Sequence, residues 1–284
     1  MNNLAGLRDT RGDYAGAEPL YARALSIREA ALGPDHPDVA TSLNNLAALS
    51  ATRGDSAKAE PLYARALAIR EKTLGPEHPD VATSLNNLAD LYQTRGDFAK
   101  AEPLYRRSLA IREKALGPDH PAVATGLNNL AGLYQARGDD SRAEPLFKRS
   151  LAILERALGP DHPDVATSLD NLADLYQARG DYAAVERLYR RALAIRETAF
   201  GADHPAVAQS RNNLAFLFHK QGRHAQAEAL YARSLAIFEK VFGPDHPDVA
   251  TILENLAAVY RATGRPSEAE ALERRAARIR AVRK

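Results

Sequence analysis

No cysteine occurs among the 284 residues, which excludes a disulfide framework and a thiol nucleophile and fits a reducing compartment. No apolar run reaches the length of about 18 residues that a membrane-spanning helix requires, and Met1-Asn2-Asn3-Leu4 does not open a secretion signal. A cytoplasmic location with no membrane partner is therefore expected. The net charge of +2 is too small to argue for nucleic acid. Phosphate-cradling glycine loops and the Gly-x-Ser-x-Gly elbow are missing as well, the glycines standing singly. Neither catalysis nor a cofactor is expected.

What the chain does contain is one sentence rewritten. Gly12, Gly54, Gly96, Gly138, Gly180, Gly222 and Gly264 follow one another at intervals of 42 residues without insertion or deletion. A fixed period of roughly 20 to 50 residues marks stacked repeats. The units run from about 1–32, 33–74, 75–116, 117–158, 159–200, 201–242 and 243–284. In the third, Val81, Leu85, Leu88, Ala89, Leu91 and Tyr92 recur at steps of three and four, which predicts a helix A from Pro79 to Arg95. Proline suits its first turn, Asp80 faces the positive end of its dipole, and Gly96 can take the left-handed cap. Asp97 is expected to cap a helix B, whose buried stripe is Ala101, Leu104, Tyr105, Ser108, Leu109 and Ile111, and Gly117-Pro118 ends it. Two amphipathic helices cannot enclose their own apolar faces, so each pair must lean on its neighbours.

Three departures carry expectations of their own. The first unit lacks the His-Pro-Asp-Val-Ala-Thr lead, so its helix A should be short, as in a module cut from a longer protein. Arg8 and Ser50 hold the slot of Tyr92, Tyr134, Tyr176, Phe218 and Tyr260, so that end should pack less well. Arg211 replaces the inward leucine of the other units and should snorkel, stem packed and head in water. The basic C-terminal run reads as a solvated cap.

Eight histidines invite a metal hypothesis. Six of them, His36, His78, His120, His162, His204 and His246, hold one slot beside a proline. Successive units lie on the order of 10 Å apart, whereas zinc ligands converge within about 2 Å of the ion. No metal site is expected, and these six read as caps for helix A. His219 and His224 read as surface residues. Glu71, Glu113 and Glu197 read as solvating helix B or pairing with nearby Arg and Lys.

LNNLA, GDYAxAExLYxRALAIRE and LGPDHPxVA, which recur through almost the whole chain, resemble the 42-residue tetratricopeptide repeats of kinesin light chains and their bacterial and nephrocystin-like relatives, with leucine where the wider family often has tryptophan. The resemblance implies an all-α, right-handed α-solenoid of seven antiparallel helix pairs in one continuous array. It also implies a concave groove lined by helix A, in which the second asparagine of each pair meets a peptide backbone. Those positions are Asn45, Asn87, Asn129, Asn171, Asn213 and Asn255. The arginine of the Ile-Arg-Glu motif, which the family uses for acidic residues, is Arg28, Arg70, Arg112 and Arg196, with Leu154 and Phe238 departing from it. Asp90 and Asp174 would repel an acidic ligand.

The residues themselves leave alternatives open. Asparagine has poor helix propensity, so the amides either hold a neighbouring helix or offer donor and acceptor to an extended ligand; the arginines either bind or simply solvate a helix face. The expected function is a scaffold that binds an extended or acidic-hydrophobic peptide of a protein partner. The rivals are a homo-oligomer formed through open solenoid ends and the sensor arm of a larger signalling protein.

Overall fold

The computed structural model of the chain describes residues 2–10 and 13–281. Gly12 and the last three residues of the basic run, Val282 to Lys284, lie outside them. Among the described residues there are fourteen helices and no strand: α1 (Asn2–Thr10), α2 (Tyr14–Leu32), α3 (Pro37–Thr52), α4 (Ser56–Leu74), α5 (Pro79–Thr94), α6 (Phe98–Leu116), α7 (Pro121–Ala136), α8 (Asp140–Leu158), α9 (Pro163–Ala178), α10 (Tyr182–Phe200), α11 (Pro205–Lys220), α12 (His224–Phe242), α13 (Pro247–Ala262) and α14 (Pro266–Ala281). Odd-numbered helices are the A helices and even-numbered ones the B helices. The chain forms two compact units, residues 1–153 and 154–284, and the division falls within α8.

Each full A helix starts as its sequence requires. Proline occupies the first turn, and the preceding histidine turns Nδ1 inward to accept the N–H two residues on, at 3.1 Å for His78 and Asp80. The proton of that imidazole therefore sits on Nε2. The helix closes at Arg95 and at Gly96, whose φ of +78° is a conformation that costs any residue with a Cβ. Asp13, Asp55 and Asp181 then cap the following B helix through their carboxylates. Asp97 does not, correcting the expectation: its carboxylate lies 3.7 Å from Arg95 Nε and makes no bond to the helix end. The B helices run unbroken through Pro19, Pro61, Pro103 and Pro145.

Leu85, Ala89, Ala101 and Ala131 are wholly buried, and the small alanines let neighbouring helices approach closely. At the first repeat α1 is nine residues long, and Leu4 and Leu7 remain about half exposed, at 49% each. Ser50, by contrast, is buried, its hydroxyl donating to the Leu46 carbonyl at 2.9 Å.

Arg211 does not snorkel. It is buried, and its guanidinium donates to the Ala202 carbonyl at 3.0 Å and to Glu197 at 2.7 Å. An inward charge is tolerated there because the loop before α11 and the end of α10 supply both an acceptor and a countercharge. His219 and His224 are not plain surface residues either. Their rings lie 5.3 Å apart, both are half-buried, and neither Nδ1 has a hydrogen-bond partner. Burial, together with His224 and Lys220, lowers the pKa of His219.

Successive repeats are fastened by polar contacts at fixed sequence separations. Along the B helices Glu29 meets Arg65, Glu71 meets Arg107 and Glu113 meets Arg149 at 2.6 to 2.7 Å, with Glu155–Arg191 and Glu239–Arg275 following the same 36-residue step. The ion pairs of Glu71 and Glu113 thus join different repeats instead of adjacent turns of one helix. A second fastening surrounds the glutamate of the Ala-Glu-Pro-Leu-Tyr segment. Glu102 accepts from Tyr134 at 2.9 Å and from Arg137 at 2.6 Å, and Arg106 and Arg142 approach it as well. Glu60 and Glu228 are gripped in the same way by Arg95 and Arg265.

Burial works to raise the pKa of Glu102, but the Tyr134 hydroxyl and the charges of Arg106, Arg142 and Arg137 together hold it below the ordinary glutamate value. The folded pKa is depressed, so the stability this group contributes is present above the unfolded value of about 4.3 and is lost as pH falls through the folded one. Glu102→Gln should therefore lower the stability of the first unit by about 1 kcal/mol at pH 7, a figure kept small because the guanidiniums are exposed. Urea titrations of both proteins at pH 7 and pH 3 should show the difference closing at the lower pH.

Candidate peptide-binding face

Where an A helix carries two adjacent asparagines, as α3, α5, α7 and α11 do, the two divide the labour. In the first unit, Asn87 Nδ2 donates to Asn44 Oδ1 at 2.8 Å and Asn129 Nδ2 to Asn86 Oδ1 at 2.7 Å, so the second amide of one repeat holds the first amide of the repeat before. In the second unit Asn255 reaches Asn212 in the same sense at 3.4 Å. An amide has two donor hydrogens and an acceptor oxygen. Asn87 and Asn129 each spend one hydrogen on this ladder, and both remain only half-buried. Asn45 and Asn171 occupy the same register on α3 and α9, also half-buried. Asn213 departs from the ladder, its Oδ1 accepting from Gln209 Nε2 at 2.9 Å.

The Ile-Arg-Glu arginines turn toward the next A helix. Arg28 NH1 donates to the Asp38 carbonyl at 3.0 Å and to Ser42 Oγ at 2.9 Å; Arg70 does the same to Asp80 and Ser84 at 3.2 and 2.8 Å. Arg112 keeps the carbonyl contact, to Ala122 at 3.1 Å, but finds Gly126 where the serine would stand. Arg196 NH1 contacts Ser210 Oγ and Asp170 Oδ2, both at 2.5 Å. Where Leu154 replaces the arginine, the Ser168 hydroxyl is left buried without a partner. These guanidiniums are anchored between repeats, and Arg70 is nearly inaccessible.

Asp90 and Asp174 are held from within. Tyr105 donates its hydroxyl to Asp90 Oδ1 and Asn86 donates to Oδ2 at 3.1 Å, while Tyr189 donates to Asp174 at 2.6 Å. Burial raises the pKa of both carboxyls against the pull of these hydroxyls. The sequence reading missed this tyrosine–carboxylate pairing. A partial signal was available, since Gly132 takes the carboxylate slot in the repeat where Phe147 takes the tyrosine slot. Beside this network, α3, α4 and α5 enclose a cleft of about 270 Å³ lined by Ala51, Thr52, Ser56, Tyr63, Asn87, Asp90, Leu91 and Thr94. No group of three or more potential metal ligands occurs among the described residues, nor is any helix there long and apolar enough to cross a membrane.

A tetratricopeptide repeat family model matches residues 1–72, 46–114, 80–156, 123–198, 186–240 and 206–281. Among solved structures, BtubC (BKLC) of P. vanneervenii is 30% identical over 81% of this chain and 89% of that one, with a TM-score of 0.65. The kinesin light chain TPR-like repeats of Podosopora anserina are likewise 30% identical, over 73% of this chain and 99% of that one, with a TM-score of 0.62. The apo form of RapI shares the fold, with a TM-score of 0.68 at 16% identity over 98% of this chain and 96% of that one. No curated protein matches the chain. Repeat length, paired helices and the run of matches along the sequence agree that this chain belongs to the tetratricopeptide repeat family, in its kinesin light chain-like form.

Proposed function

We propose that the chain is a protein-binding scaffold whose A-helix face holds an extended peptide segment of a partner without turnover. The observation that carries this reading is the asparagine register. At Asn87 and Asn129, on successive A helices, the same amide is tied to its neighbour by one hydrogen and still presents its second hydrogen and its oxygen. Such amides match the alternating C=O and N–H of an extended backbone and read little of its sequence. The fastening between repeats fixes their orientation before any ligand arrives, which lowers the ordering cost of binding.

Arg28, Arg70, Arg112 and Arg196 enter this reading as positioning residues, because each is engaged with the following A helix. Affinity for acidic residues is accordingly the weaker component, and backbone capture the stronger. Selecting a dodecapeptide phage library on the unaltered chain, and again with Asn87→Ala and Asn129→Ala, tests it. Each substitution should weaken the selected peptides about fivefold, near 1 kcal/mol for a lost hydrogen bond. Enrichment and affinity that survive both substitutions would remove the amides from the binding role.

A further inference from the structure

The cleft between α3, α4 and α5 is lined by one carboxylate, that of Asp90, and by no cationic side chain; its donors are the second Asn87 Nδ2 hydrogen and the hydroxyls of Ser56 and Tyr63. Thr52 Oγ1 spends its one hydrogen on the Ala48 carbonyl at 3.0 Å, and Thr94 Oγ1 spends its own on the Asp90 carbonyl at 2.9 Å. Both hydroxyl oxygens are thereby left as acceptors. Asp90 adds a carboxylate whose bonds come from two neutral donors, Tyr105 and Asn86. Arg112, the cation that acts on it electrostatically, directs its NH1 to the Ala122 carbonyl. Ala51 and Leu91 supply apolar wall beside the Tyr63 ring. Burial, with the charge of Asp90 next, pushes the Tyr63 hydroxyl up to about 12, so it stays neutral at physiological pH.

We propose that this cleft takes a basic side chain of the bound peptide, lysine fitting best, with Asp90 as its counter-ion. Lysine's ammonium carries three donors and no acceptor, and its four-carbon stem packs on apolar wall while the head seeks charge. The match is one of charge, with the Thr52 and Thr94 oxygens as further acceptors for the ammonium. The inference rests on the peptide-binding reading above and adds the residue class that the first unit selects. It also runs against a preference for acidic peptides, because the arginines that would serve one are already engaged.

The test uses the full chain and the dodecapeptides recovered from the library. Selected peptides should share a lysine or arginine at one register, and replacing that residue by norleucine should weaken binding about tenfold or more, as expected for a charge-assisted bond. On Asp90→Asn the lysine and norleucine peptides should bind alike. If that variant fails to fold, judged by its thermal melt, the norleucine comparison on the unaltered chain still decides. Peptides that depend on Asn87 and Asn129 but change less than twofold on the norleucine swap, or carry no basic residue in common, overturn the inference and leave the scaffold reading standing. If no peptide is enriched, the scaffold reading fails and this inference falls with it.

Discussion

Arg196→Met is expected to destabilise the second unit by about 3–5 kcal/mol, the cost of leaving a buried charge without its partner. Arg196 and Asp170 are both largely withdrawn from water, with side chains 11% and 15% exposed, and their contact is 2.5 Å. Asp170 already has little else: its Oδ1 is buried and accepts no hydrogen bond. Burial raises its pKa, the charge of Arg196 opposes that rise, and Asp174 adds to it. Removing the arginine must therefore raise that pKa further. For a carboxyl whose folded pKa exceeds its unfolded value, the folded state binds the proton more tightly, so stability falls as pH rises between the two values. The loss in Arg196→Met should accordingly be largest near pH 7 and shrink as pH drops through the raised pKa of Asp170. Adding Asp170→Asn should recover most of it, since Asn44, Asn86, Asn128 and Asn212 fill the same slot in other repeats. Denaturant titrations of the single and double variants at pH 7 and pH 4.5 would decide; a loss independent of pH and unrelieved by asparagine would refute the ion-pair account.

Arg211→Leu is expected to act in the opposite direction, stabilising the second unit by about 1–4 kcal/mol, because a buried charge replaced by a packed apolar side chain is often the more stable arrangement and its partner Glu197, 40% exposed, keeps its contact with water. Leu169 and Leu253 already occupy this slot in neighbouring repeats and are essentially inaccessible, so the cavity for leucine is the ordinary one. The change also frees Glu197. Its counterparts pair with an arginine 36 residues on, which for Glu197 is Arg233, but Arg211 has captured the carboxylate instead. The variant should therefore re-form the Glu197–Arg233 step, visible in its crystal structure, along with a higher melting midpoint. A lower midpoint would mean that the guanidinium fills space leucine cannot.

Much of this molecule was legible because a repeat averages out local noise. Helix starts, turns and buried stripes depend on proline, glycine and three-four spacing within one unit, and Pro79, Gly96, Leu85 and Ala89 hold the positions their chemistry implies. The histidine caps were legible for the same reason. The fastenings were harder to see, because their partners lie one repeat apart and the residues are also ordinary surface residues. Glu102 gives no sign that Tyr134 and Arg137 meet it, and Arg70 looks like a solvated cation until Ser84 is found beneath it. The arginine and its serine can be matched by eye at a spacing of 14 residues only once the fold is known, since Ser168 persists where its arginine has become Leu154 and Arg112 where its serine has become Gly126. Asp97 was misread because the same slot does cap its helix at Asp13, Asp55 and Asp181, and nothing in the repeat sets Asp97 apart from them.

The constant step of the fastenings has an evolutionary reach. Excising residues 75–116, one whole module, would bring Asn129 to Asn44, Arg149 to Glu71 and Arg137 to Glu60, each a pairing of the kind the lost neighbours made. Recombination between modules in register would thus hand the shortened or lengthened protein a ready set of joints, whereas a gain or loss of even one residue inside a helix would turn the paired side chains about 100° away from each other.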